Sequence, residues 1–348
     1  MRVGVPREVK DGEFRVALAP HGVKEITVRK NQVVVERGAG AGVGFSDEDY
    51  AKAGATIGDA WDCELVVKVK ELQPAEYRRP RRGQTVFGFQ HFGPEPPLLE
   101  AALASGATFI AFETVGQASG LPILSPMSAI AGRLAVQAGA WCLQKQNGGS
   151  GVLLSGIEGV APGKVIIFGA GNVGSNALAI AYGIGAQVTV IARSERRISL
   201  LKEKYPRATF LKGRQDRIDA DLVIGGVLTP GQMSPKLITR AMLRGLRPGS
   251  ALVDVGIDQG GIAETSRPTS HSDPIYVEEG VVHYCVPNMP AACARTASLA
   301  LERAALPYVK KILDGEKSAD LASGIQVRAG QVTHEQLARD TGRPYTAL

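Results

Sequence analysis

The stretch Phe168-Gly169-Ala170-Gly171-Asn172-Val173-Gly174 decides the fold. It follows a short apolar run, Lys164–Phe168, and opens a helical pattern from Asn176 to Tyr182. Glycines at this spacing have separate jobs at a strand-to-helix turn. Gly169 permits the tight turn, Gly171 lets a pyrophosphate approach the backbone, and Gly174 lets the helix pack closely on its strand. The helix N-terminus then offers unpaired N–H groups and the positive end of its dipole to that anion. A glycine-rich turn alone is a weak sign, but a second strand pattern ending at Ile191 completes a β-α-β unit. The segment therefore predicts a dinucleotide-binding turn, with Gly169, Gly171, Asn172, Val173 and Gly174 against the phosphates.

The end of that second strand carries the next detail. A site for NAD(H) usually ends it with a carboxylate that accepts hydrogen bonds from the ribose 2′-hydroxyl. This chain reads Ile191-Ala192-Arg193-Ser194-Glu195-Arg196-Arg197 instead. Ala192 removes the carboxylate that would repel a 2′-phosphate, while Arg193, Ser194 and Arg197 supply charge and donors to hold one. NADP(H) is favoured as cofactor. NAD(H) stays open, since Glu195 could instead turn in to bind the ribose.

Working outward, short β-branched runs alternate with Ala/Leu-rich helical patterns on both sides. Val3–Val5, Val33–Glu36, Leu65–Val69, Thr85–Phe89 and Thr108–Phe112 read as strands before a helical segment, Ala129–Gln144. Lys164–Phe168, Val188–Ile191, Leu222–Ile224 and Ala251–Val255 form a second series, and Ala297–Leu313 reads as a long helix. Such alternation predicts the α/β class, with two Rossmann-like domains whose parallel sheets are covered on both faces. A length of 348 residues suits two domains, at a prior of roughly 150 residues each. The boundary is placed near Ala129 and the C-terminus is read as returning to the first domain, which makes that domain discontinuous. Residues 1–128 plus 306–348 form the substrate domain on this reading, and 129–305 the dinucleotide domain.

Composition narrows the function classes. Hydrophobic residues make up 44% and charged residues 21%, ordinary for a chain with a sizeable core, and only 5% are aromatic. The formal charge of +6 is mild for this length. The densest basic run, Arg78-Arg79-Pro80-Arg81-Arg82, reads as a solvated loop rather than a nucleic-acid patch, because only Tyr77 lies beside it to stack on a base. No apolar segment approaches the roughly 18 residues that cross a membrane. Met1-Arg2-Val3-Gly4-Val5-Pro6 is too short an apolar stretch for a signal peptide. The four cysteines, Cys63, Cys142, Cys285 and Cys293, lie far apart without metal-ligand spacing, so they read as reduced thiols of a cytoplasmic protein with no metal.

Several segments together resemble the alanine dehydrogenase family, which also includes the soluble domain of proton-translocating transhydrogenase. Met1–Glu8, Glu13-Phe14-Arg15-Val16-Ala17 and Val67-Lys68-Val69-Lys70-Glu71 look like its N-terminal domain. Ser125-Pro126-Met127-Ser128, Asp254–Gly261 and Tyr284-Cys285-Val286-Pro287-Asn288-Met289-Pro290 look like the signatures around its cofactor site. The resemblance covers nearly the whole chain. It implies an NAD(P)-dependent amino acid dehydrogenase acting on a small molecule, with alanine and pyruvate the default pair, and a homo-oligomer, commonly a hexamer. It also implies cofactor contacts from Ser128, Val227, Leu228, Val255, Ile257 and Met289.

Reductive amination of a 2-oxo acid gives the remaining residues their roles. A carboxylate needs a cationic clamp, for which the resemblance implies Arg15 and Lys70. His91, after Phe89-Gln90, is the implied proton shuttle, since imidazole titrates near neutrality. Asp258 is the implied carboxylate for ammonia, water and the iminium charge, and Asn288 a contact on the substrate side. Taken singly, each has a plainer reading. Arg15 and Lys70 suit surface charges, Lys68 competes with Lys70, His91 suits a core histidine, and Asp258 and Asn288 suit turns. His21, His271, His283 and His334 are read as structural.

The chain also departs from the family pattern. Ala129 stands where an acidic residue is usual, Phe92-Gly93-Pro94 follows the histidine, Gly226, Gly256 and Pro287 replace Ala, and Thr229 replaces a larger aliphatic. The connection 213–220 is shorter than usual. With Ala192, these changes open an alternative, a biosynthetic NADPH-dependent reductase of a different imine or dehydroamino acid. A second alternative is a non-catalytic nucleotide-binding sensor, against which Arg15, Lys70, His91 and Asp258 argue, because binding a dinucleotide requires none of them.

Overall fold

The computed structural model describes residues 1–116, 120–227 and 233–348. Strands β1 (Arg2–Val5), β2 (Gln32–Val35), β3 (Thr56–Ile57), β4 (Leu65–Val67), β5 (Thr85–Gly88) and β6 (Thr108–Ala111) come first. A second series follows as β7 (Lys164–Phe168), β8 (Gln187–Ala192), β9 (Thr209–Lys212), β10 (Leu222–Gly225), β11 (Ala251–Asp254), β12 (Ile275–Glu278) and β13 (Val281–Tyr284). β14 (Ile325–Arg328) and β15 (Gln331–Val332) close the chain's strands. The first sheet has the order β15-β14-β6-β5-β4-β1-β2-β3, parallel from β6 to β3 with an antiparallel C-terminal hairpin on its edge. The second has the order β12-β13-β11-β10-β7-β8-β9, parallel except for β12. Both sheets are thus mostly parallel and Rossmann-like.

Central strands of a parallel sheet are covered on both faces and so read as unbroken apolar runs. Leu65, Val66 and Val67 of β4 are fully buried, as are Leu222, Val223 and Ile224 of β10. The runs that sequence periodicity could find are these. The edge strands are short or polar, like β9 (Thr-Phe-Leu-Lys) and β15, and give no such signal.

The chain divides into two compact units, Met1–Met127 with Cys293–Leu348, and Ser128–Ala292. The sequence reading put the return to the first unit at residue 306, whereas the structure puts it at Cys293. The reason is the helix Ala294–Leu313, which runs unbroken through Pro307. Its first turns already belong to the first unit: the Ser298 hydroxyl accepts from Val16 N at 3.0 Å, and the Glu302 carboxylate accepts from Ala19 N. Among the described residues no helix is long and apolar enough to cross a membrane.

Close backbone approach fixes the turn after β7. Gly169 adopts φ 105°, a conformation that costs other residues dearly. A Cβ on Gly174 would lie 1.9 Å from the Gly169 carbonyl oxygen. On the same helix, Asn172–Gly183, Gly183 has nothing within 4 Å of its ideal Cβ. Gly174→Ala should therefore destabilise the second unit by about 1–3 kcal/mol through overpacking, visible as a lower thermal midpoint. Gly183→Ala should leave the midpoint unchanged or raise it, and equal midpoints for the two variants would refute this account of the turn.

Candidate functional site

In both units the candidate residues gather where parallel strands end. In the second unit, Gly169 follows β7, Ala192 ends β8, Val227 follows β10 and Val255 follows β11, so all four sit at one carboxyl edge. That edge is where open α/β sheets bind ligands. Gly171 is the N-cap of the helix Asn172–Gly183 and offers no side chain to its first-turn amides. Among the described residues, a Cβ at Gly171 would meet only Arg197 Nη1, at 3.7 Å. The turn fits a pyrophosphate.

Beside the turn, Ala192 is buried and Arg193 to Arg197 are exposed. The Ser194 hydroxyl caps the helix Glu195–Lys204 by accepting from Arg197 N. The Arg197 guanidinium reaches back and donates to the Ala170 carbonyl at 3.1 Å, over the glycine turn. Glu195 points the other way and pairs with Lys212 at 3.1 Å. Of the remaining expected cofactor contacts, Ile257 and Met289 are buried, Ser128 and Val255 half-buried. Leu228 and Thr229 lie outside the described residues.

The loop carrying Asp258 is held from two sides. The buried Asp254 carboxylate accepts from Gly256 N at 3.1 Å, Ile262 N at 2.7 Å and the Ser266 hydroxyl. The Lys236 ammonium donates to the carbonyls of Gly261 at 3.0 Å and Ala263 at 2.9 Å, and also to Gly260. Asp258 sits between these anchors in the short turn Ile257–Gln259, exposed at the same carboxyl edge. Asn288 follows β13 with φ 57°, half-buried.

In the first unit the loops after β1, β4, β5 and β6 bring together a dense set of charges. Arg15 is buried and makes a two-point pair with Glu13, its Nε donating at 2.7 Å, while its Nη1 meets the weakly accepting Met127 sulfur at 3.3 Å. Lys70 Nζ lies 3.2 Å from Glu71 Oε2, and His91 Nδ1 lies 2.8 Å from the same oxygen. Lys10 pairs with the other oxygen of Glu71. Burial pushes the Glu71 carboxyl up, but the His91 hydrogen bond, the charges of Lys70 and His91 and the Lys10 hydrogen bond outweigh it, and Glu71 titrates well below the usual carboxylate range.

His91 is held in a strained backbone conformation, φ 48°, which costs a non-glycine residue about 1–3 kcal/mol. The Glu113 carboxylate pins it by accepting from His91 N at 2.8 Å and Gln90 N at 3.1 Å. Phe89 stacks on the imidazole at 5.7 Å. His91 is therefore not a core histidine, and 40% of its side chain stays exposed.

The structure also separates the two lysines. Lys68 is 1% exposed, and its ammonium faces Glu8 at 3.3 Å, Glu76 at 3.2 Å and the Lys70 carbonyl at 2.9 Å. Its ammonium is enclosed by these acceptors, whereas Lys70 contacts Glu71. Glu71, Glu113, Asp254 and Lys236 had no role in the sequence reading. Glu71 stood inside a quoted run, and a carboxylate next to the expected clamp was the one available signal. The cysteines are free thiols, and burial raises Cys142 to about 12 and Cys285 to about 11. Cys142 and Cys285 are therefore poor nucleophiles.

Comparison with known proteins bears on the whole chain. Residues 4–131 match the family described as alanine dehydrogenase/PNT, N-terminal domain, and residues 135–335 match its C-terminal domain. An alanine dehydrogenase of Halomonas elongata is 47% identical, over 99% of this chain and 98% of its own length. One from Bacillus subtilis is 44% identical over 99% and 96%. Among solved structures, an L-alanine dehydrogenase superposes with a TM-score of 0.92 at 42% identity, covering 98% of this chain and 99% of that one. A transhydrogenase from Sinorhizobium meliloti gives 0.80 at 26%, over 96% and 99%.

The two lysines give the test of this geometry. Removing Lys68 strands two buried carboxylates, so Lys68→Met should cost about 3–5 kcal/mol. Lys70→Met leaves Glu71 with Lys10 and His91, and should cost about 1 kcal/mol or less. Thermal midpoints of the two variants check this, and a larger loss for Lys70→Met would overturn the separation.

Proposed function

The chain belongs to the alanine dehydrogenase/PNT family, and from that premise we propose that it interconverts L-alanine and pyruvate with a nicotinamide dinucleotide, preferring NADP(H). One observation carries the reading. Arg15, Lys70 and His91 all lie in loops that follow strands of the first sheet, with Glu13 beside Arg15 and Glu71 shared by Lys70 and His91. This arrangement supports a site for an anionic substrate. A dinucleotide-binding module needs none of these groups, and a 2-oxo acid needs all of them.

Each group then has a task. Arg15 and Lys70 bind and orient the carboxylate of pyruvate or alanine. A nicotinamide dinucleotide, held by the turn Gly169–Gly174, would supply the hydride chemistry. In the oxidative direction water adds to the resulting imine, and His91 takes the proton that water releases. The same imidazole then protonates the amine nitrogen, and takes the hydroxyl proton as ammonia leaves and the carbonyl forms. It passes that proton to ammonia, which departs as ammonium and restores the ring's lone pair. Asp258, exposed on a loop anchored by Asp254 and Lys236, stabilises the cationic imine by charge. Asn288 orients the substrate from the turn after β13.

The preference for NADP(H) rests on the end of β8. Ala192 offers no carboxylate to a ribose, and Glu195 is paired with Lys212. Arg193 and Ser194 are exposed beside the turn, and Arg197 already leans over it. The pair Glu195–Lys212 is exposed and worth at most about 1 kcal/mol, so its orientation supports the reading without locking it. A homo-oligomer is part of the proposal, and the exposed apolar side chains Leu153, Ile157, Val160 and Val277 of the second unit favour it. A cytoplasmic location fits the free thiols.

The expected result is turnover of pyruvate with ammonia, faster than with a panel of bulkier 2-oxo acids. Fluorescence titration should give tighter binding of NADPH than NADH, with Arg193→Ala weakening NADPH by roughly 3- to 10-fold and NADH little. Tighter NADH binding would sink the cofactor preference. A bulkier 2-oxo acid as best substrate would move the reading to a reductase of another imine. Dinucleotide binding without turnover of any substrate would leave only a sensor.

A further inference from the structure

The proton shuttle is defined by a group that the substrate need not touch. An ionised carboxylate can only accept hydrogen bonds. Glu71 is ionised over the working range, because His91, Lys70 and Lys10 surround it despite its burial. With Glu71 Oε2 at 2.8 Å from His91 Nδ1, the hydrogen between them belongs to Nδ1. Nε2 is then the ring nitrogen with the free lone pair. The ring cannot exchange its two faces freely, since Phe89 stacks on it and Glu113 holds the His91 amide.

We infer that Glu71 is the positioning residue of the reaction, fixing His91 as the Nδ1–H tautomer so that Nε2 alone exchanges protons with substrate. The inference rests on the proposed role of His91 as proton shuttle. The same carboxylate spaces Lys70 from His91, so the group that binds the substrate carboxylate and the group that handles its proton share one anchor. In the protonated state of the ring, Glu71 is the counter-charge, and the imidazolium forms beside an anion that is already in place. His91 begins each cycle as a base at Nε2 and regains that form when the proton leaves, with Nδ1–H untouched throughout.

The test uses the full-length protein with 15N-labelled histidine. At about pH 9, where an ordinary imidazole is neutral, the His91 ring of the unsubstituted protein should show a protonated Nδ1 and a bare Nε2, the signal being assigned by its loss in His91→Asn. Glu71→Gln keeps the shape but gives a side chain that both donates and accepts, so the two tautomers should mix. The kcat for pyruvate amination should then fall about 100-fold, while the KM for pyruvate changes much less because Lys70 and Arg15 remain. A proton on Nε2 in the unsubstituted protein overturns the inference whether or not the variant folds, and so does an unchanged kcat in Glu71→Gln. Failure of the unsubstituted protein to turn over pyruvate would strike the proposed reaction, while the tautomer still decides what Glu71 does to His91.

Discussion

In a parallel sheet the chain must return to the same end before each new strand begins, so every loop on one edge follows a strand's carboxyl end. That constraint places almost every functional group in this molecule. In the second sheet it gathers the glycine turn after β7, Ala192 at the end of β8, Val227 after β10 and the Asp258 loop after β11. In the first it gathers Glu8 and Lys10 after β1, Lys70 and Glu71 after β4, His91 after β5 and Glu113 after β6. Residues 61 positions apart, Lys10 and Glu71, become neighbours because β1 and β4 pair in register.

Electrostatics sets the second condition. Charges without partners are expensive inside a protein, and the first unit buries Arg15, Lys68 and Lys70. Each has an acidic companion: Glu13, then Glu8 with Glu76, then Glu71. The pairs differ in use. Lys68 is enclosed by two carboxylates and backbone carbonyls, so nothing is left for a ligand. Glu71 is shared among Lys10, Lys70 and the His91 ring, so it does not fully neutralise either lysine. A site that must attract a carboxylate while remaining folded without it needs this kind of incomplete compensation.

Much of this was legible in the sequence, and the parts that were not share a cause. Buried central strands such as β4, β7 and β10 are continuous apolar runs, and the glycine turn has a spacing that sterics demand. The edge strands β9, β12 and β15 are short and partly polar, and the hairpin β14–β15 exists only because the first sheet has an open edge at β6. The roles of Arg15, Lys70 and His91 rested on family resemblance, and geometry then separated Lys70 from Lys68. Glu71, Glu113, Asp254 and Lys236 escaped because an acidic or basic residue in a loop is ordinarily solvated. Only tertiary structure shows that these four hold a neighbour in place. The return of the chain at Cys293 rather than residue 306 was hidden for a related reason, since a helix that starts three residues earlier than its apolar pattern gives no sign of where it packs.

The two units answer different chemical questions, and their residues are under different physical demands. On the proposed reading, cofactor preference lies in an exposed segment, Arg193 to Arg197, where each charge contributes on the order of 1 kcal/mol or less. Such a segment can change its preference by a few substitutions without disturbing the core. The proposed substrate groups are buried, strained or mutually paired, so altering one disturbs the neighbours that share its partners. His91 shows the difference most clearly: its φ of 48° is tolerated because Glu113 binds the backbone on one side and Glu71 the ring on the other. On the proposed reading, the groups assigned to the reaction are held by interactions that resist change, whereas those assigned to the choice of dinucleotide are not. A departure at Ala192 therefore says little about the reaction, and the intact set around Glu71 says a great deal.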